Sequence, residues 1–230
     1  MKKALFWDFD GTLAHANESF ADSLENALVL CGFTIIRETI TDFLHSVLSW
    51  YRPDTIYPDN IGQLWWHSLF AACNTFYKEN GIPADSWNSI NYCFRENVIH
   101  FSYEIYEDAA ETLETCMKQG YVNYVISNNY PELPDVISAL GLDHYFTGYF
   151  VSASYGYEKP RPEIFSTALQ TAGKPDFCCM IGDNPVADIL GAKAAGMKTV
   201  LVHRRAESEA DFHCERLAEI PEWLTQNHFI

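Results

Sequence analysis

The chain has 230 residues and a mass of 26.2 kDa, enough for one or two domains with a sizeable core. With 48% hydrophobic and 15% aromatic residues it is excluded from the disordered class. Thirty-one acids against 15 bases leave a formal charge of −16. That balance excludes nucleic-acid polymers and anionic membrane surfaces as partners, because both require a positive footprint. A small anionic substrate stays compatible if cations gather locally.

Seven cysteines, an odd number with no C-x-x-C pair, argue against a disulfide framework and a structural zinc site. Reduced thiols in a cytoplasmic protein are the expectation. Lys2 and Lys3 precede an apolar run that ends at Asp8, too early for a signal-peptide core. No segment approaches 18 apolar residues, so no membrane span is expected.

In chain order, residues 4–7 form an apolar run that meets Asp8-Phe9-Asp10-Gly11, a buried strand ending in a turn. Similar runs at 121–126, 177–181 and 199–202 lead into Ser127-Asn128-Asn129, Gly182-Asp183-Asn184 and His203-Arg204. Helical patterns over 109–118, 134–140, 162–172 and 186–195 end at or next to Gly120, Gly141, Gly173 and Gly196. Strands alternating with helices predict an α/β fold with a mainly parallel, Rossmann-like sheet flanked by helices. Its polar clusters all fall at strand carboxyl ends, where such sheets bind ligands.

Residues 14–103 differ. Helical patterns lie at 18–30, 40–48, 61–77 and 85–99, and the whole stretch carries 16 of the 34 aromatics and only Arg37, Arg52, Lys78 and Arg95 as lysines or arginines. The expected organisation is an α/β core from 1–13 and 104–230, with 14–103 as an inserted helical cap domain.

Asp8 and Asp10, two apart on an extended chain, share a side. Two adjacent carboxylates repel unless a cation or a shared proton relieves them, and Mg²⁺ suits such an oxygen set; a plain Asp-Gly turn is the alternative. Asp183 follows a buried strand. Asp188 either reaches a metal or favours the start of its helix. Ser127 and Asn128 can donate to a phosphate oxygen or simply form a turn. Lys159 is aimed by its proline neighbours or sits on the surface.

Together these motifs resemble the haloacid dehalogenase superfamily of phosphatases and related hydrolases. Asp8-Phe9-Asp10-Gly11-Thr12-Leu13 resembles its first motif, Ser127-Asn128 its second, Lys159-Pro160-Arg161-Pro162 its third, and the stretch from Gly182 through Asp188 its fourth. The insertion resembles the family's helical cap. The resemblance implies Asp8 as nucleophile and Asp10 as general acid and base. It further implies Thr12, Ser127, Asn128 and Lys159 as phosphate-binding groups. Mg²⁺ would be held by Asp8, the backbone of Asp10, Asp183 and, directly or through a neighbour, Asp188.

The expected activity is hydrolysis of a small phosphorylated metabolite. Dehalogenating relatives lack the second aspartate, which Asp10 supplies here. Mutases carry a histidine where this chain has Phe20, and Lys78 is a poor candidate for a Schiff base. Asn129 replaces a glycine common among relatives. A dehalogenase, a phosphosugar mutase and a non-catalytic binding protein are the alternatives. In the cap, Arg52, His15, His45, His67, Lys78, Trp50, Tyr51, Trp65 and Trp66 are candidates for substrate contact, with core packing the competing role for the aromatics.

Overall fold

Six short, largely apolar segments pair side by side in a computed structural model that describes residues 1–15, 18–52, 54–204 and 207–227. The strands are β1 (Lys3–Trp7), β2 (Val122–Ser127), β3 (Phe146–Val151), β4 (Phe177–Gly182), β5 (Lys198–Val202) and β6 (Phe212–Cys214). Every pairing is parallel, in the order β3-β2-β1-β4-β5-β6. This is the doubly wound order, with β1 at the point where the winding reverses. Four strands were expected. β3, which carries Gly148, and the three-residue β6 lie on the two edges, where half-buried, short or glycine-bearing segments leave little hydrophobic signal.

The helices are α1 (Ser19–Leu30), α2 (Arg37–Val47), α3 (Gln63–Glu79), α4 (Trp87–Ile99), α5 (Ala109–Lys118), α6 (Leu133–Ala139), α7 (Ser152–Tyr155), α8 (Pro162–Thr171), α9 (Gly191–Ala194) and α10 (Ile220–Gln226). Alternation along β1 fills both faces of the sheet. Leu5 and Trp7 join the apolar cluster that holds α5, α6 and α10, whereas Ala4 and Phe6 join α8 and α9. Burying each such side chain contributes about 1.5–3 kcal/mol. The indole of Trp7 donates to Asn123 Oδ1 at 3.0 Å, so the one polar atom brought inside is satisfied.

The first face continues without a break into α1–α4. Phe20, Leu24, Ala27 and Leu28 form one stripe of α1, as their spacing predicts, and α1 packs on α4. The chain enters and leaves this segment at one place: Ala14 bridges Ile105 antiparallel, and His15 N–H donates to Glu104 O at 2.8 Å. Trp65 and Trp66 are both buried. Trp65 stacks on Trp50 at 6.0 Å, while the Trp66 indole donates to Glu132 Oε2 at 2.8 Å, just ahead of α6. Further along, Ser49 and Tyr57 hydroxyls both bond the buried Glu158 carboxyl.

All seven cysteines are free thiols. Among the described residues no helix is long and apolar enough to cross a membrane.

Candidate active site at the carboxyl edge of the sheet

The register fixes the site before any side chain is considered. Trp7 pairs with Ile181 on one side and Val125 on the other. The residues just beyond these strands therefore emerge at one level: Asp8 after β1, Ser127 and Asn128 at the end of β2, and Asp183 after β4. Asp8 N–H still donates to Ile181 O at 2.9 Å, after which the chain turns through Gly11 at φ 75°. A Cβ on Gly11 would stand 2.7 Å from the Asp183 carboxylate. The Asp-Gly turn thus lets one acid-bearing loop lie against another.

Three carboxylates converge there. One oxygen each from Asp8, Asp183 and Asp188 lies within 4.8 Å of the others. This hard-oxygen donor set fits a small divalent cation such as Mg²⁺. The side chain of Asp10 is not part of that trio.

Lys159 sits among them, 1% exposed, with Nζ 2.6 Å from Asp188 Oδ1 and 3.0 Å from Asp8 Oδ1. Burial works against its charge, but Asp188 and Asp8 outweigh burial and hold its pKa above the ordinary lysine value. The reading of Lys159 as a surface residue is thereby excluded. Its neighbour Asn128 differs from expectation. Asn128 Oδ1 accepts Lys159 N–H at 2.6 Å and its Nδ2 donates to Lys159 O at 2.9 Å. The amide is spent on gripping the lysine's backbone, so Asn128 acts as a clamp rather than as a free donor aimed at a ligand.

Asp188 also departs from the simple capping role. The expected helix over 186–195 begins as a six-residue π-helical turn, Pro185–Leu190, and only then becomes α9. Asn184 is the cap, its Oδ1 accepting Val186 and Ala187 N–H at 3.0 Å. Asp188 lies a turn further in, fully buried, accepting Asn184 N–H at 2.9 Å on Oδ2 and Lys159 on Oδ1. Gly182 is required beneath it, because a Cβ there would stand 2.2 Å from Asp188 Oδ2. Burial raises the Asp188 pKa against the pull of Lys159.

Asp10 faces the cavity. Burial first, then the charge of Asp8, pushes its pKa up to about 7, while a 2.7 Å hydrogen bond from Asn129 Nδ2 to Oδ2 opposes the rise. The charge of Asp183 adds to the rise. Asn129 was legible only as an oddity in the second motif, and its contact spans 119 residues. Asp183 is likewise raised by burial and by Asp8, and is countered by Arg204, whose Nη2 stands 2.9 Å from Oδ2.

Two expected phosphate groups are not part of the cavity wall. Thr12 is fully buried behind the turn, its hydroxyl without a partner among the described residues, and it does not line the cavity. Its carbonyl oxygen lies 3.1 Å from His203 Nε2. The His203 ring in turn stacks on Tyr106 at 3.8 Å, which ties the first loop to the end of β5. Ser127 is also buried and outside the cavity lining.

The cavity itself, about 430 Å³, lies between these acids and α1 and α2. Of the cap candidates, His45, Trp50 and Tyr51 line it; Arg52 instead gives its guanidinium to Ser46 O at 3.1 Å. His67 belongs to a separate groove and His15 stacks on Tyr106.

The sequence matches the haloacid dehalogenase-like hydrolase family over residues 2–196. A mouse haloacid dehalogenase-like hydrolase domain-containing protein 3 is 37% identical over 103 residues, 44% of this chain and 41% of that one. The chain thus spans less than half the length of that relative. A glyceraldehyde 3-phosphate phosphatase of Methanothermobacter thermautotrophicus is 29% identical across 94% of this chain and 92% of its own. The crystal structure of a 2-haloacid dehalogenase from Pseudomonas syringae pv. Tomato superposes with a TM-score of 0.74 at 24% identity, covering 98% and 99% of the two chains. At that identity the likeness is one of fold.

Proposed function

The chain belongs to the haloacid dehalogenase-like hydrolase family, and from that premise we propose that it is a Mg²⁺-dependent phosphatase of small phosphorylated metabolites. The observation that carries the reading is Asp10. A carboxyl pushed up to about 7, beside Asp8 and facing the cavity, keeps a substantial protonated fraction at neutral pH, where an ordinary carboxyl has almost none. A phosphomonoester needs that proton on its departing alkoxide, whereas a halide leaves without one.

In this reading Asp8 attacks phosphorus. An Asp8 oxygen–phosphorus bond forms as the bond to the leaving oxygen breaks, and Asp10 gives its proton to that oxygen. The Asp10 carboxylate then takes a proton from water, whose oxygen displaces Asp8 from phosphorus and releases phosphate. Phe9 N–H at 2.8 Å and Lys159 Nζ at 3.0 Å both hold Asp8 Oδ1, which fixes the attacking group. Lys159, itself held by the Asn128 clamp and Asp188, offsets phosphate charge that the acids would repel. Mg²⁺ held by Asp8, Asp183 and the backbone of Asp10, with Asp188 behind, would add further compensation of negative charge. Residues 14–103 serve as the cap that covers the site and excludes water.

The test is hydrolysis of p-nitrophenyl phosphate with Mg²⁺ and with chelator, alongside Asp8→Asn. Turnover that depends on Mg²⁺ and falls at least about 1,000-fold in the variant is expected for a lost nucleophile. Turnover of 2-haloacids with no phosphoester hydrolysis would replace the reading with dehalogenation.

A further inference from the structure

The cavity has two unlike ends. Acids and cations crowd the sheet end, where Asp8, Asp10, Asp183, Lys159 and Arg204 meet. The opposite wall is Phe20 from α1, Leu44 from α2, and Leu48, Trp50 and Tyr51 just after it. Phe20 and Trp50 meet edge to face at 5.1 Å, and Trp50 is backed by Trp65, so two of the rings are fixed in place. Tyr51 stays 52% exposed at the mouth, its ring 4.2 Å from that of His45 and 6.4 Å from that of Trp50.

What the wall lacks is equally informative. Arg37 is bound to Glu18, Asp22 and Glu25 at 2.6–2.7 Å. Arg95 is bound to Glu132 at 2.6 Å, and Arg52 and Lys78 lie outside the lining. Among the described residues, therefore, no lysine or arginine of the α1–α4 segment faces the cavity, while the acid Glu18 does. A leaving group carrying a carboxylate or second phosphate would meet no free lysine or arginine there, only the His45 ring and the Glu18 carboxylate that Arg37 already pairs. A flat, uncharged group would find aromatic faces and edges to pack on, which is the usual lining of a small-molecule site.

We propose that the site takes phosphate monoesters whose leaving group is uncharged and carries a ring, seated against Phe20, Trp50 and Tyr51. This rests on the phosphatase reading above and narrows it.

The test compares benzyl phosphate, glycerol 3-phosphate and 2-phosphoglycolate with Mg²⁺, all three having alkoxide leaving groups. The expected kcat/KM for benzyl phosphate exceeds the other two by at least about 10-fold, the scale of discrimination an apolar pocket gives. Trp50→Ala should collapse that ratio toward one, mainly through KM for benzyl phosphate. Tyr51→Ala, at a half-exposed position that tolerates truncation, should reduce it in the same direction if Trp50→Ala does not fold. Equal or reversed ranking in the unaltered protein overturns the ring proposal while leaving the phosphatase reading standing. So does a preference unchanged in both variants. Loss of all phosphoester turnover, p-nitrophenyl phosphate included, overturns both.

Discussion

At the carboxyl edge of the sheet the charged groups are held by specific partners: Asn129 for Asp10, Arg204 for Asp183, Asn128 for the backbone of Lys159, and Asp188 with Asp8 for its ammonium. Across the cavity the wall works differently. Phe20 touches Trp50, Trp65, Trp66, Phe94 and Tyr130, ring against ring, with no single contact decisive. Hydrogen bonds and ion pairs are directional and fail when one member is lost, whereas apolar packing is non-directional and degrades by degrees. On the proposed reading, the chemistry resides where the interactions are one-to-one, and discrimination among leaving groups where they are many-to-many.

Breaking the one-to-one side should give the largest effects. Asp10→Asn keeps the shape and removes the proton, so turnover of an alkyl phosphate should fall about 100- to 10,000-fold. p-Nitrophenyl phosphate, whose leaving group needs little protonation, should lose less; an equal loss for both would count against Asp10 as the acid. Lys159→Met leaves Asp8 and Asp188 facing each other without their shared cation. A loss of about 3–5 kcal/mol is expected for a broken buried pair, read from denaturant midpoints together with abolished turnover.

A smaller effect should appear in the pH dependence of stability. Burial raises Asp10 to about 7 and also raises Asp183 and Asp188, while an unfolded aspartate titrates near 4. The folded chain thus holds these protons more tightly than the unfolded one. Their stabilising contribution is complete below pH ~4 and is lost as pH rises through ~7. In chelator the denaturant midpoint should fall over that window, and Asp10→Asn should flatten the fall. Added Mg²⁺ should offset it, since a cation bound only by the folded state stabilises it. A midpoint that rises with pH from 5 to 8 in chelator would contradict the burial of these acids.

The smallest effect belongs to a directional bond within the aromatic layer. Trp66→Phe keeps the ring and removes the donor to Glu132 Oε2. A cost of about 1–3 kcal/mol is expected from the unpaired acceptor, moderated because Arg95 still bonds Oε1 at 2.6 Å. A loss as large as that of Lys159→Met would show that the wall is as specific as the edge.

The sequence alone determined the strands that carry the acids, the shared strand-end position of Asp8, Ser127, Asn128 and Asp183, and the helical segments within 18–99. These follow from short-range patterning: apolar runs that can only be buried strands, and turns that must begin where polar residues interrupt them. It also supplied the ordered motifs behind the family resemblance. Only the tertiary structure decided what each polar group does on arrival. Asn128 grips Lys159 across 31 residues, Asn129 holds Asp10 across 119, and His203 reaches Thr12 across 191. No local pattern encodes such pairings, because a hydrogen bond depends on which atoms the completed sheet brings within 3 Å. The edge strands β3 and β6 escaped for a related reason: with one side unpaired, their hydrophobic demand is weak. Likewise, composition announced an aromatic-rich segment, but packing decided that Trp65 and Trp66 are core and that Trp50 and Tyr51 face the cavity.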